Sequence, residues 1–468
     1  MRRSVGTRLT RVGGALLLLS LAGCSYHTPA PTLTPTRVAT LTPTRTPTPV
    51  LTATPTAVPV PTAAPAPAAA WMRQFGSPAW DRANGVAVDG EGNIIAAGAT
   101  QGALPGKTLG GTWDAYAVKL SPAGKEILTL QFTDAVSLGA LALAVDGTAN
   151  IILAGHSGGT LPGQTNAGYD DAWVRKLSPA GTEMWTHQFG SPEPDWAFGV
   201  AADGSGNVIV AGGESSALPG QTRVGLEDAF VRKYSPSGTE LWTHQFGTPA
   251  LDRAWAVAVD GTGNIFIAGV TEGILSGQTR AGLDDCFVRK LSPAGTELWT
   301  RQFGSPAQDR ATAVTTDEAG NVIVAGYTYG PMPGQTHAGA WDSFVTKFSP
   351  EGAALWTSQF GTLLSDEVFG VAVDRTGTIF AAGNTEGSLP GQTSAGAWDA
   401  FVRAFSPEGA VIWTFQFGTA ESEGVTGAAA GGAGDVLVVG HTYGVLPGQA
   451  SAGSWDGFVV RIGLRPAS

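Results

Sequence analysis

The chain has 468 residues, with 27 basic and 38 acidic side chains, a net charge of -11, 66 glycines, 30 prolines and two cysteines. Charged residues make up 14% and hydrophobic residues 43%, so a core can form and a wholly disordered chain is excluded. An acidic chain repels phosphate backbones, which argues against nucleic acid as a partner, and two cysteines cannot build a zinc site of four thiolates.

Arg2, Arg3, Arg8 and Arg11 precede a short apolar stretch from Val12 to Ala22. A bilayer crossing needs about 20 apolar residues, so residues 1–23 read as a secretion signal rather than a span. The run Leu21-Ala22-Gly23-Cys24 resembles the lipobox of bacterial lipoproteins. That resemblance implies cleavage before Cys24, lipidation of Cys24, and an extracytoplasmic protein held to a membrane of the bacterial envelope. Several acyl chains on one residue anchor far better than one, because each buried CH2 contributes about 0.8 kcal/mol.

Residues 24–70 form the next segment, and Thr28 to Ala70 holds 13 Thr, 11 Pro and 10 Ala with Arg37 and Arg45 as its charges. Such a segment has no material for a core. Repeated proline favours an extended chain, and a stalk of up to ~130 Å follows from about 3.1 Å per residue. All 38 acidic residues lie beyond residue 70, so the remainder is more acidic than the whole.

From Trp71 onward the sequence repeats. Trp71, Leu128, Trp185, Trp242, Trp299, Trp356 and Trp413 each stand 57 residues after the last, ahead of Q-F-G or a variant. Each unit runs through V-A-V-D, a Gly-rich turn, N-I-I-x-A-G, L-P-G-Q-T-x-A-G, D-A-F-V-R-K-L and S-P-A-G-T-E-L-W-T. The apolar runs are short, rich in Val, Ile and Phe, and bounded by turn residues, which predicts four strands per unit, A to D. Seven such units predict an all-β fold over 71–468, a seven-bladed propeller of four-stranded antiparallel blades. A β-solenoid is the alternative. The array opens with only a strand D and ends with only A, B and C, so the first strand is expected to complete the last blade and close the ring.

The motifs D-A-F-V-R-K, S-P-A-G-T-E-L-W and V-A-V-D-G-x-G-N resemble the bacterial SBBP β-propeller repeats of secreted and surface proteins. The resemblance covers about 71–462. It implies a propeller and carries no catalytic set.

Antiparallel strands place the A–B and C–D turns on one face and the longer B–C and D–A loops on the other. Function is expected on the loop face. Asp114, Asp171, Asp228, Asp285, Asp342, Asp399 and Asp456 recur just before strand C; seven of seven points to a framework role. A second ring, Asp81, Asp195, Asp252, Asp309, Asp366 and Glu423, is interrupted by Leu138, and Arg82, Arg253 and Arg310 adjoin it, which points to ion pairing or turn capping. If both rings line the loop face, that face is acidic and attracts a cation or a basic partner. Turns such as Asp89-Gly90-Glu91-Gly92-Asn93 lack the glycine and glutamate of a calcium loop and read as plain hairpins. No histidine spacing, nucleophile elbow or P-loop occurs; no metal or cofactor is expected and no catalytic residue is assigned.

A single asymmetric site must come from positions that differ among units. Tyr327, Tyr329, His441 and Tyr443, with Glu272 and Glu386, are the candidates for a recognition surface, since aromatic faces beside acids suit sugars or cationic peptides. The expected function is a lipid-anchored, monomeric binding scaffold for an unknown protein or glycan. A propeller enzyme acting on glycans as hydrolase or lyase, and a structural or adhesion spacer, remain open.

Overall fold

The computed structural model describes residues 66–465 apart from 135 and 433. Cys24 and the signal segment lie outside the described residues. The strands form seven four-stranded sheets. Blade 1 runs A (Asp81–Val88), B (Ile94–Thr100), C (Asp114–Leu120) and D (Glu126–Phe132), and five blades repeat it. Blade 7 takes Glu423–Gly432, Asp435–Thr442 and Asp456–Arg465 as A, B and C, and the first strand, Ala66–Phe75, as D. The ring therefore closes as the circular offset of the repeats requires. The closing strand begins at Ala66, ahead of the Trp71 signature, because Ala66–Ala69 pair with Ile462–Arg465.

The inner strand is bulged where the repeat keeps a glycine. Ala83 and Gly85 flank a register shift opposite strand B, and a Cβ on Gly98 would stand 1.8 Å from the Arg82 carbonyl oxygen. Only glycine fits beneath that bulge, which adds local twist to the blade. Strands B and C of blade 1 are buried throughout, and a blade cannot cover both its faces alone. Seven apolar clusters result, each shared by two neighbouring blades. Leu437, Val439 and Val459 of blade 7 meet Val86, Ile94 and Tyr116 of blade 1. The indole of Trp71 donates to the Pro122 carbonyl of blade 1 at 3.2 Å, and Trp185, Trp299 and Trp356 clip their neighbours in the same way at 3.0, 2.9 and 3.1 Å. Leu128 brings no such donor.

The repeated aspartates tie the loops to this frame. In blade 2, Asp171 Oδ2 accepts Gln188 Nε2–H at 2.9 Å and the Ala167 N–H at 2.8 Å. Gln188 also donates to the Gly159 carbonyl and accepts the Leu161 N–H, both at 2.8 Å. The glutamine–aspartate bond recurs at Asp114, Asp228, Asp285, Asp342, Asp399 and Asp456. The second ring caps the D–A loops: Asp195 Oδ2 accepts the Ser191 N–H at 2.7 Å and Ser191 Oγ–H at 3.1 Å. In blade 2, where Leu138 interrupts the ring, Asp134 supplies the carboxylate from the loop side and accepts Ser157 Oγ–H at 2.6 Å and the Gly159 N–H at 3.1 Å.

These rings correct one expectation. Both lie under the loop face, yet no member is more than 1% exposed, because at least one oxygen of each is turned inward onto a loop amide. They do not make that face acidic. Nor do the adjoining arginines pair with them: Arg253 binds Glu227 at 2.5 Å, and among the described residues Arg82 and Arg310 form no ion pair.

Blade 3 carries an extra buried acid. Glu214 stands where other blades have Thr100 or Thr271, is 0% exposed, and has no partner for either side-chain oxygen among the described residues. Burial, reinforced by the carboxylates of Asp195 and Asp228, pushes Glu214 up to about 9, and burial pushes Asp195 up to about 7.

Two outcomes follow from this frame. Removal of Ala66–Phe75 exposes strand C of blade 7 and two apolar clusters, so thermal unfolding of the shortened chain should lose the cooperative transition of the whole domain; a shift confined to a fraction of the transition would contradict ring closure. The folded state holds Glu214 protonated, so its contribution is complete below the ordinary value of 4.5 and is lost as pH rises through about 9. Glu214→Gln, which cannot ionise, should therefore gain in melting temperature over wild type as pH rises across that window, with little difference at its acidic end.

Candidate functional site

Side chains alternate along a strand, and on strand A the alternation sends one set under the sheet and the other to the axis. Asn84, Leu141, Phe198, Trp255, Thr312, Phe369 and Thr426, one from each blade, line the axial channel. Phenylalanine and threonine each occur twice among them, and the other three blades carry Asn84, Leu141 and Trp255. Toward the loop face the channel widens into a cavity of about 380 Å³, walled by Leu141, Phe198, Trp255 and Phe369 on its apolar side and by Arg82, Arg310 and Tyr327 on its polar side. A cavity of this size with an apolar lining and few polar groups has the form of a small-ligand site.

The polar groups of the wall divide into two kinds. Asn84 Nδ2 donates to the Ala140 carbonyl at 2.7 Å, Thr312 Oγ1 to the Val368 carbonyl at 2.6 Å, and Thr426 Oγ1 to the Ala83 carbonyl at 2.5 Å. These are clips between neighbouring inner strands, and they leave those donors occupied. Arg82 Nε and Trp255 Nε1 are buried with no acceptor among the described residues. Burial pulls the Arg82 guanidinium below its ordinary value.

Arg82 also borders a second cavity of about 180 Å³, beside Trp113, Leu141 and His156. In three blades the second residue of strand A and its partner on strand B are matched in size. Gly139 lies opposite His156, Trp196 opposite Gly213 and Gly424 opposite His441, so a large side chain on one strand faces none on the other. Burial, with Arg82 nearby, pushes His441 down to about 4, and burial lowers His156 as well. Both imidazoles are therefore neutral near pH 7.

The candidate recognition residues fall into two groups. In blade 7, His441 stacks on Trp455 at 4.7 Å with an interplanar angle of 8°, Tyr443 meets the same ring at 4.3 Å, and Trp80 stacks on it at 4.8 Å and 5°. In blade 5, Trp341 is met edge-on by Tyr327 at 5.0 Å and by Tyr329 at 5.1 Å. Tyr329 and Tyr443 are 52% and 46% exposed, whereas Tyr327 is 8% exposed and belongs to the axial wall. Blade 6 separates the groups. Glu272 and Glu386 are half-buried at the loop starts of blades 4 and 6, and Glu386 Oε2 accepts the Ser365 N–H at 3.3 Å. The six residues thus form no single surface.

Trp80, Trp341 and Trp455, which organise both groups, and the aromatics of strand A do not stand out in the repeat, and Arg82 and Arg310 read there only as neighbours of the second acidic ring. A signal was present: Trp precedes the strand C aspartate in four units, at Trp113, Trp341, Trp398 and Trp455. Loops of blades 2 to 5 expose further apolar side chains, among them Tyr169, Leu226, Leu283 and Leu363. The turn aspartates behave otherwise: Asp89 Oδ1 accepts the Glu91 and Asn93 N–H groups, and Oδ2 faces Lys119 Nζ at 2.9 Å.

Comparison with known proteins follows this geometry. The family model described as a β-propeller repeat, SBBP, matches residues 298–331. The regulatory protein FlaEY of Caulobacter vibrioides is 28% identical over 167 residues, 32% of this chain and 18% of that protein. A WD repeat-containing protein of Acanthamoeba polyphaga mimivirus is 22% identical over 230 residues, 38% and 17% of the two chains. The chain spans under a fifth of the length of these curated relatives. Among solved structures, the Pan2 WD40 domain of Neurospora crassa aligns over 85% of this chain and 96% of its own with 12% identity and a TM-score of 0.47. The 57-residue units, the seven closed blades and the matched repeat together identify the chain as a β-propeller of the SBBP repeat type.

Proposed function

We propose that this propeller is a binding scaffold whose loop face holds a protein or glycan ligand. The observation that carries the reading is the aromatic platform in which exposed Trp80 and Tyr443 pack on half-buried Trp455, with exposed Val445 on the same blade 7 loop, while the polar groups of the repeated frame are spent beneath. An exposed apolar patch over a rigid support marks an interaction site. Aromatic anchors carry large contact area with few rotors to immobilise, and they concentrate binding energy in a few side chains.

Capture from envelope extract with the full-length chain tests the reading. A chain carrying Trp80→Ala, Tyr329→Ala and Tyr443→Ala should lose its partner while keeping its melting temperature, since such anchors each contribute on the order of 2 kcal/mol. Retention of every captured partner by the folded variant would sink it.

The anchoring proposed for Cys24 is supported by the arginines, apolar stretch and lipobox-like run of the sequence. Cys24→Ser should move the protein from the membrane fraction to the soluble one and abolish incorporation of labelled fatty acid. Unchanged fractionation would remove the lipid from the description.

A further inference from the structure

We propose that the axial cavity binds a carboxylate that carries an aromatic ring, the acid held by Arg82 with Arg310 and the ring seated against Phe198, Trp255 and Phe369. The proposal rests on the binding function above and adds to it a ligand class and a second place on the same face.

The donors of the cavity define what must enter. Arg82 Nε and Trp255 Nε1 are buried and lack acceptors among the described residues, and guanidinium and indole donate without accepting. An unpaired buried N–H costs free energy, so the fitting ligand brings oxygen acceptors rather than donors. Asn84, Thr312 and Thr426 are already bonded to strand carbonyls, and the Tyr327 hydroxyl is engaged with Arg310.

Charge narrows the class further. Arg82 has no carboxylate partner, and its neighbours His156 and His441 are kept neutral by burial. Arg310 stands over the Trp341 ring at 5.8 Å and has Glu367 nearby, whose carboxyl burial pushes up. Neither guanidinium has an ion-pair partner among the described residues, so the cavity attracts an anion and repels a cation. The attraction is selective in a chain whose net charge is -11. Arginine also offers a carboxylate two parallel N–H donors.

The rest of the wall takes a ring. Phe198 and Trp255 lie 4.5 Å apart with an interplanar angle of 36°, and Phe369 meets Tyr327 at 5.7 Å. These rings face the cavity from blades 3, 4, 5 and 6, while the guanidinium of Arg82 stands in blade 1 and that of Arg310 in blade 5 beside Tyr327. A free aromatic acid and a peptide ending in phenylalanine present the same chemistry.

The test uses the purified full-length chain, calorimetry and tryptophan fluorescence. Four probes are titrated: N-acetylphenylalanine, its amide, and a hexapeptide ending in phenylalanine with a free or an amidated terminus. The acids should bind, and each amide at least about tenfold more weakly, the loss expected for one hydrogen bond to a charged group. Tighter binding of the free-ended peptide than of the small acid assigns the site to chain ends; equal binding assigns it to the small molecule. Arg82→Gln should erase the preference for acid over amide and Arg82→Lys should keep part of it. Trp255→Phe, which removes one donor and little volume, should weaken both acids and keep the fold if Arg82→Gln does not. Absence of any acid-over-amide preference in the wild-type chain overturns the proposal, as does a preference unchanged in folded Arg82→Gln, or tighter binding of phenyl phosphate. Loss of acid binding with partner capture intact sinks the pocket alone, and loss of capture with acid binding intact sinks the loop-face platform alone.

Discussion

In every blade one glutamine amide, buried or half-buried, joins three pieces of chain. In blade 2, Gln188 on strand D holds the start of strand C through Asp171 and the B–C loop through Gly159 and Leu161. An amide side chain has both donors and acceptors, and burial compels it to use them. The aspartate oxygen it meets, Asp171 Oδ2, also accepts a loop N–H. The long loops are therefore fixed at their roots, and the aromatic stacks they carry stand on rigid footing without regular structure of their own. Everything presented on the loop face depends on this contact and its six counterparts.

The ring imposes a division of labour on the repeat. Positions that face a neighbouring blade meet nearly the same surface seven times, and they vary little. Positions on strand A that face the axis meet six different partners across a narrow channel, and there the sequence diverges, with Asn84, Leu141, Phe198, Trp255, Thr312 and Phe369 at equivalent places. Divergence is constrained by space: where strand A carries a glycine at Gly139 and Gly424, strand B carries His156 and His441 to fill it. A symmetric frame thus encloses an asymmetric cavity, and the two meet within one strand, residue by residue.

Much of the fold was legible in the chain. The spacing of Trp71, Leu128 and Trp185 gives the period, the short runs of Val, Ile and Phe give four strands, and the unpaired strand D at the start gives ring closure. The regular aspartates were legible as a frame because a feature present in all units serves the units. The site was only half legible. Tyr327 and His441 stand out as variable, but their cross-strand partners Arg310 and Gly424 lie 17 residues earlier in the chain, and no local pattern joins them. Trp80 and Trp455 stack across the closed ring from nearly opposite ends of the sequence.

The sequence by itself determined the number of blades, the order of their strands and the closing partner of the first strand, since those follow from period, alternation and the circular offset. The tertiary structure alone decided which polar residues are surface and which are frame. Two rings of acids that read as a charged face are buried under loop amides, while Arg82, unremarkable in the chain, is left without an acceptor between two cavities. The physical reason is that burial and pairing belong to the packed ring: a side chain's partner is set by the curvature that brings seven inner strands to one axis, and that curvature is a property of the whole.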